Sequence, residues 1–450
     1  MRHKRQLTGP KLPIFECATE RMRLLRRTSP SAAARSLAIA AAFANSLFGQ
    51  ATVLNWEQIK TRFRTQNPSV LAGQVTIEES KANEITAGLR PNPEFTFTTD
   101  GFQVTPHGGV WRPLSGVLFT PGVSRLIERQ NKRQLRLDSA RLATSGAGSD
   151  QDDLQRTLLF TARTAFVSTL QAKALLELTR ANLQSYDKVI AVNQARFQAG
   201  DISELDFQRV ELQRVQFESD LASAMVNLRT AKIQLLALLN DRTPVDDFDI
   251  AGDFEYKESI LLLPELRQAA LANRPDLRST QTAIEKAKAD NRLAIANGSA
   301  DPTVGGWYSR NPSFNNPFDF NTIGGNVVIP IRIFDKNQGE KARTALEITR
   351  AQRLRDALLA GIYRDVDSAY AASESVRTLV RPYRDKYLRE SSEIRDKVSF
   401  SYSQGSATLL EFLDAQKSYR DTQVAYIGLV GSYWSALAQL SLAVGQEVNP

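Results

Sequence analysis

Apolar residues recur every three or four positions in two long stretches of the chain, 122–243 and 331–449. The first stretch contains no proline and the second contains only Pro382. Because proline disrupts helix interiors, both stretches are predicted to form long helices. Each is divided near its middle by a glycine in a short polar turn, Gly200 or Gly405. The pattern predicts two antiparallel helical hairpins with the spacing of a coiled coil.

Before each of these stretches, short segments alternate apolar and polar residues, as β-strands do. They lie around residues 95–98, 116–120, 303–308 and 322–334, and the last carries Ile329, Ile331 and Ile333 on one face. Strands of about ten residues suit a tilted membrane barrel, although soluble hairpins give the same pattern. Four strands cannot close a barrel, and open sheet edges are not tolerated in lipid. If these strands are in a membrane, several chains share one barrel.

The two halves of the chain repeat the same pattern, about 52–250 and 251–446. Equivalent positions are separated by a nearly constant offset: Gly200 and Gly405, Asp206 and Glu411, Pro68 and Pro275, and Pro93 and Pro302. Each half is predicted to contain a helix, two strands, a long helix, a turn and a second helix. Gly146 and Gly148 leave a break open near the start of the first long helix.

The first 50 residues have the features of a secretory leader. A basic segment precedes an apolar run at 36–48, and Met22 is a candidate start. Residues 1–50 hold nine Lys/Arg and two Asp/Glu, so residues 51–450 are near neutral with 48 bases and 47 acids. The basic charge therefore belongs to the leader and does not indicate a nucleic-acid partner. The only cysteine, Cys17, lies within this leader, so the exported domain, 51–450, is expected to lack thiols.

Several motifs resemble the TolC-like outer-membrane efflux proteins, especially the branch serving heavy-metal pumps. They are Ile-Pro-Ile-Arg-Ile-Phe-Asp-Lys-Asn-Gln-Gly at 329–339, Leu-Leu-Glu-Phe-Leu-Asp-Ala-Gln at 409–416, Arg-Phe-Gln-Ala-Gly at 196–200 with Glu-Leu-Asp at 204–206, and Leu-Arg-Pro-Asn-Pro at 89–93. The resemblance implies a mainly α fold with a small β part. It also implies a homotrimer with a shared twelve-stranded outer-membrane barrel, continued by a periplasmic barrel of twelve helices.

The same resemblance assigns roles to the turns. Gly200 and Gly405, with Arg196, would lie at the periplasmic tip and meet a membrane-fusion adaptor of an inner-membrane pump. Many relatives carry an acylated N-terminal cysteine, which the expected mature chain lacks. Some also have a basic residue two positions after the second glycine, where this chain has Ala407.

The sequence offers little for catalysis or metal binding. Zinc and copper sites use clusters of histidine and cysteine, yet the chain after the leader holds one histidine, His107, and no cysteine. No nucleotide-binding or nucleophile motif is present. We expect no enzyme activity, no cofactor and no resident metal. An exported coiled-coil scaffold or adaptor without a pore is the alternative to an efflux duct, and the exported substrate is not specified.

Four residues near the turns are candidates for function. Glu411 and Asp414 lie three apart on one helical face, so a trimer would carry a ring of six carboxylates that favours cations; solvated acids near a helix N-terminus are the alternative. Tyr402 and Asp206 are candidates for a hydrogen bond that closes the tip. Pro382, inside a long helix, is expected to bend it.

Overall fold

The computed structural model describes residues 52–106, 108–114, 116–259, 261–310 and 321–448. The leader, with Met22 and Cys17, lies outside the described residues, and so does His107. The described helices are α1 (Trp56–Gln66), α2 (Pro68–Gly88), α3 (Lys132–Gln198), α4 (Glu204–Leu238), α5 (Leu263–Asn273), α6 (Pro275–Asn297), α7 (Gln338–Pro382), α8 (Leu388–Ser403) and α9 (Leu409–Val444). The described strands are β1 (Thr52–Leu54), β2 (Glu94–Asp100), β3 (Leu118–Leu126), β4 (Phe248–Ile250), β5 (Thr303–Arg310) and β6 (Asn321–Val328).

The two predicted hairpins are present, but the stretch predicted as helical from residue 122 begins with β3, which ends at Leu126, and its helix starts only at Lys132. Helices α3 and α4 form the first, and α7, α8 and α9 form the second. Helix α3 has 67 residues and spans about 100 Å at 1.5 Å per residue. It runs unbroken through Gly146 and Gly148, so the break left open there does not occur. Helix α6 packs alongside this part of α3, with Thr282 next to Gly146, and such packing offsets the helix cost of two glycines.

Strands β2, β3, β5 and β6 form one antiparallel sheet in that order, with β2 and β6 at its edges. The last predicted strand was too long, because β6 ends at Val328. Val328 pairs with Thr303, the first residue of β5, so no partner strand remains for the residues that follow. Ile331 and Ile333 are exposed outside the sheet rather than on a strand face.

The internal repeat is visible in the order of the elements. The series α2, β2, β3, α3, α4 recurs as α6, β5, β6, the α7–α8 pair and α9. Asn131 and Asn337 precede the two long helices, and both adopt the left-handed conformation. The shared turn geometry at the same place in each half supports one ancestral unit used twice.

The main apolar cores lie where short elements pack on the long helices. One core joins α1, α3, α4 and a two-stranded parallel sheet of β1 and β4, with Phe63, Phe166 and Phe248 fully buried. The sequence pattern did not reveal this small sheet, since three-residue strands have no periodicity to detect. A second core joins α5, α7 and α9 around Ile362 and Leu440.

Helix α9 is, by length and composition, the one helix in the described ranges apolar enough to cross a membrane. Its apolar side chains have partners within the fold, however. Tyr433 and Leu437 pack in a core with Tyr256 and Val380, and Leu440 packs against α5 and α7. These contacts account for the composition of α9 as that of a packed helix.

Candidate functional site

The two helical turns lie at equivalent places and have the same backbone geometry. Gly200 has a φ of +83° and Gly405 a φ of +74°, conformations that glycine adopts without steric cost. In the first turn the Asp201 amide donates to the Arg196 carbonyl over 2.8 Å, closing the end of α3. The second turn repeats this bond. Open space surrounds both glycines, so backbone conformation alone explains their presence.

Each helix that leaves a turn begins with a side-chain cap. Ser203 Oγ accepts from the Asp206 amide at 3.1 Å at the start of α4. At the start of α9, Thr408 and Glu411 form a complete capping box, in which Glu411 Oε2 accepts from the Thr408 amide at 2.7 Å. That amide, followed by the Thr408 hydroxyl, holds the pKa of Glu411 below its usual range.

The two acids of the expected aperture have different surroundings. Glu411 caps its own helix, which matches the alternative role of an acid near a helix N-terminus. Asp414 is exposed one turn further along α9 and has no hydrogen-bond or ion-pair partner among the described residues. Both residues are exposed near the second turn. A ring of carboxylates therefore stays a prediction. Of its two acids, Asp414 is the one that does not cap a helix.

Tyr402 has a different partner from the one the sequence suggested. Its hydroxyl donates to Asn193 Oδ1 over 2.8 Å, while Asp206 accepts from the Ser203 hydroxyl at 2.8 Å and lies 3.7 Å from Arg209. Within the chain, the expected bond between Tyr402 and Asp206 is replaced, because Asp206 is held at the cap of α4. Burial raises the pKa of Tyr402, so its hydroxyl stays protonated and able to donate.

Arg196 also acts inside this cluster. Its guanidinium lies 4.9 Å from the centre of the Tyr402 ring, and its Nη1 donates to the Tyr402 carbonyl at 3.3 Å. Phe412 stacks on the same ring with a centroid distance of 4.8 Å. Side chains from α3 and α9 thus converge on Tyr402 of α8. The cluster ties the first hairpin to the second close to both turns.

Asn193 was not singled out in the sequence, although a signal was present. It lies on a row of α3 residues spaced by seven, with Ala172, Thr179 and Tyr186, and all four are buried. An asparagine at such a position of a coiled coil fixes the pairing of helices at some cost in stability. Here its Oδ1 accepts the hydrogen bond that the Tyr402 hydroxyl donates.

At Pro382 the regular α-helical spacing of the second hairpin is interrupted, while a bend there stays a prediction. Helix α7 ends at Pro382, a π-helical turn follows at Tyr383–Tyr387, and α8 begins at Leu388. Proline lacks the amide that would donate the α-helical hydrogen bond at its position. A change from α-helical to π-helical hydrogen-bond spacing there therefore costs little free energy. The first hairpin has no such turn, since α3 is continuous at the equivalent place.

The π turn changes which residues face the neighbouring helices. Before it, the inward row of α7 comprises Ile362, Val366, Ala369, Ser373, Val376 and Val380, in steps of four and three. Continued without a π turn, this row would include Tyr387, Ile394 and Ser401. Tyr387 and Ile394 are instead 43% and 55% exposed, and the inward row of α8 ends at Tyr402, 8% exposed. The π turn therefore adds one residue and keeps Tyr402 in the core.

The geometry around the turns holds helices together and presents charged side chains to solvent. No group of three or more His, Cys, Asp or Glu side chains suited to a metal ion occurs in the part of the chain that the structure describes. The sheet at the opposite end has an apolar exposed face and a polar concave face.

Comparison with known proteins identifies the family. The model of the outer membrane efflux protein family matches residues 61–241 and 266–446, one match for each half of the repeat. The chain belongs to the outer membrane efflux protein family. Its location in the outer membrane and its role in efflux follow, and the mainly α fold with an internal repeat is confirmed.

Individual relatives are distant but cover most of the chain. The cobalt-zinc-cadmium resistance protein CzcC of Cupriavidus metallidurans is 23% identical over 388 residues, covering 84% of this chain and 87% of the relative. The pyoverdine export outer membrane protein OpmQ of Pseudomonas putida is 25% identical over 321 residues, with 68% and 66% covered. The crystal structure of CusC superposes with a TM-score of 0.71 at 16% identity, covering 87% of this chain and 92% of CusC.

Proposed function

We propose that three copies of this chain form a passive export duct that crosses the outer membrane and the periplasm. The observation that carries this proposal is the four-stranded sheet, whose two faces differ in polarity and whose edges are free. Large apolar side chains are exposed on one face: Phe95, Phe97, Phe119, Val123, Val304, Tyr308, Ile323 and Val327. The other face carries mainly hydroxyl and amide groups, together with two large apolar side chains, Leu118 and Trp307; its polar residues are Thr96, Thr98, Thr120, Ser124, Ser309, Thr322 and Asn326.

This division suits a barrel with lipid outside and water inside. Isolated exposed apolar residues are ordinary, but a whole face of them indicates contact with lipid or another protein. The free edges at β2 and β6 require further strands, because unpaired backbone groups are costly in lipid. Three copies supply twelve strands, a number within the range of known barrels. A pore-free scaffold explains neither the apolar face nor the polar one.

The repeat predicts how the strands of neighbouring copies pair. Within the chain, Thr96 pairs with Gly122, and Gly305 pairs with Asn326. Pro93 and Pro302 set the offset between the first strands of the two halves, which makes Thr96 equivalent to Gly305. Gly122 is then equivalent to Asn326.

The contact between the halves completes the prediction. Gly122 on β3 pairs with Trp307 on β5, and the residue of β2 equivalent to Trp307 is Thr98. If copies pair as the halves do, Asn326 of one copy lies opposite Thr98 of the next. Both residues lie on the polar face of the sheet.

Cysteine cross-linking tests this arrangement. In a Cys17→Ser background, the double variant Thr98→Cys/Asn326→Cys should form covalent dimers and trimers on oxidation in outer membranes. Thr98→Cys or Asn326→Cys alone serves as the matched control and should stay monomeric under denaturing conditions. A double variant that yields only monomers, although each thiol reacts with maleimide, would contradict the shared barrel.

We also propose that the turns face an adaptor of an inner-membrane pump, and that the cargo is metal ions or other small molecules. The exposed glycine turns and the charge of Asp414 and Glu411 support a docking end with an aperture that favours cations. CzcC, a cobalt-zinc-cadmium resistance protein by name, favours metal ions as cargo. Loss of metal tolerance on deletion of the gene, restored by the intact gene, would support that cargo. Unchanged tolerance with altered tolerance to organic compounds would contradict it.

A further inference from the structure

A cavity of about 500 Å³ lies away from the turns, where α1, α3, the start of α6 and the end of α9 meet. Five basic side chains line it: Lys60, Arg64, Arg156, Arg163 and Arg278. Only two acidic side chains do, Asp152 and Glu447. The rest of the lining includes Trp56, Leu159, Phe160, Trp434 and Leu442. The lining therefore combines basic side chains with apolar and aromatic ones.

Three of the five bases are already paired with acids. Lys60 lies 2.6 Å from Glu447, and Arg278 lies 3.1 Å from Asp152. Arg156 lies 2.6 Å from Asp153, outside the cavity lining. These ion pairs account for both acids of the lining, so the positive charge that remains belongs to the other two arginines.

Arg163 is the more informative of the two. Its guanidinium lies over aromatic rings, 4.5 Å from the Trp56 centroid, 5.7 Å from Trp434 and 5.8 Å from Phe166. The charges of Glu447 and Glu57 act on it from beyond ion-pair distance. No carboxylate pairs with it in the described part of the chain, and burial lowers its pKa. Ring faces attract the positive charge but accept few of the five N–H bonds that a guanidinium offers. Its donors therefore remain available to an acceptor in the cavity.

We propose that this cavity binds a small organic anion, with Arg163 as the residue that binds its charged group. The planar guanidinium matches the two oxygens of a carboxylate or phosphate, and the exposed Arg64 adds a second positive charge at the rim. The tryptophan rings and leucines suit an apolar or aromatic body attached to that group. The volume falls within the usual range for small-molecule sites.

The proposal does not depend on the duct. The ligand would lie among α1, α3 and α9, which carry Trp56, Arg163 and Trp434 respectively. Binding would therefore link the first described helix to the last one and stabilise the fold by mass action. A carboxylate supplied by a neighbouring copy of the chain has the same charge chemistry and is the competing occupant.

Phenyl phosphate is a suitable probe for the purified full-length protein in detergent, because two of the four tryptophans line the cavity. Titration should change the tryptophan fluorescence in a saturable way and raise the melting temperature, and benzyl alcohol, which lacks the charge, should do neither. Arg163→Met should weaken binding about tenfold or more. Arg180→Met, an exposed arginine 17 positions along the same helix, is the matched control and should bind normally.

A second variant, Arg64→Gln, controls for a folding defect in Arg163→Met, because Arg64 is exposed. It should weaken binding about threefold while leaving the circular dichroism unchanged. Absence of saturable binding up to about 10 mM, or equal binding by Arg163→Met, would overturn the proposal. Binding by dissociated monomers but not by the assembled protein would also overturn it, since a neighbouring copy would then fill the cavity.

Discussion

The hydroxyl of Tyr402 donates a 2.8 Å hydrogen bond to Asn193 Oδ1, and both side chains are buried. The bond joins α8, which leads into the second turn, to α3, which leads into the first. Arg196 covers the Tyr402 ring from one side and Phe412 from another. The relative position of the two hairpins near their turns therefore depends on one buried polar pair with aromatic and cationic support.

Replacing Tyr402 by phenylalanine tests this pair with little change in volume. The variant leaves Asn193 Oδ1 buried without a donor, which should lower the free energy of unfolding by about 1–2 kcal/mol. In planar bilayers it should also open more often, because the hairpins are held less firmly. Tyr363→Phe, which removes an exposed tyrosine hydroxyl from α7, is the control for both measurements. Wild-type melting and gating in Tyr402→Phe would show that this hydrogen bond stabilises neither the fold nor the closed state.

The extra residue of the π turn leads to an unusual deletion experiment. Removing exposed Lys386 should convert the turn to α-helix, continue the inward row of α7 and leave Tyr402 in the core. Melting temperature and resting conductance should then stay near wild type. Removing exposed Lys397 instead shifts Tyr402 by one position, about 100° around the helix, and should destabilise the tip. An equal loss of melting temperature in both deletions would contradict the conclusion that the π turn adds one residue and keeps Tyr402 in the core.

Alanine substitution should change the free energy of unfolding in opposite directions at two glycines. Gly405 has a φ of +74° with open space around it, so Gly405→Ala should destabilise the protein by about 1 kcal/mol through backbone strain alone. Gly361 lies inside α7 with ordinary helical geometry, and Gly361→Ala should stabilise by about 0.5–1 kcal/mol. Chemical denaturation of both variants measures the difference. A stabilising Gly405→Ala would rule out the strain argument.

Asp276 should make stability depend on pH. Burial favours its neutral form, but hydrogen bonds and charge from Arg274, with the charge of Arg156, hold its pKa below the ordinary 3.8. Its ionised form therefore stabilises the fold above pH 4, and this contribution is lost as the pH falls through the lowered pKa. Asp276→Asn should cost about 2–3 kcal/mol at neutral pH because Arg274 stays buried. The difference in free energy of unfolding between Asp276→Asn and the wild type should shrink in acid. A difference that is constant with pH would exclude this linkage.

The carboxylates near the second turn can be tested separately. Asp414→Asn should reduce cation preference in single-channel recordings without altering stability, because Asp414 has no partner among the described residues. Glu411→Gln removes a charge from the capping box as well, so its effect on selectivity would be accompanied by a lower melting temperature. Glu79→Gln, an exposed acid on α2 far from the turns, is the control. Unchanged selectivity in both tip variants would exclude the carboxylate ring.

Much of the architecture could be predicted from the sequence because periodicity and proline placement report backbone structure directly. The hairpins, the turns at Gly200 and Gly405, and four strands follow from such patterns. Contacts between distant side chains do not, and Tyr402 was assigned to Asp206 instead of Asn193 for that reason. The capping role of Ser203 shows what the pattern missed, since a local cap competes for the same carboxylate.

The π turn and the small β1–β4 sheet were beyond sequence reasoning for a different reason. Pro382 predicts a bend, but the choice between a kink and an added residue depends on how α8 packs against its neighbours. Three-residue strands such as β1 and β4 are determined by the core around Phe248 and Ile250, not by their own pattern. In both cases tertiary packing decides the local structure.

The central claim is that the sheet has lipid on one face and water on the other. In a Cys17→Ser background reconstituted in vesicles, a water-soluble maleimide should label Thr322→Cys, on the polar face, and spare Ile323→Cys, the adjacent residue on the apolar face. Detergent solubilisation and denaturation should make both thiols reactive. Equal labelling of the two variants in vesicles, or recovery of the protein without membranes, would contradict the account.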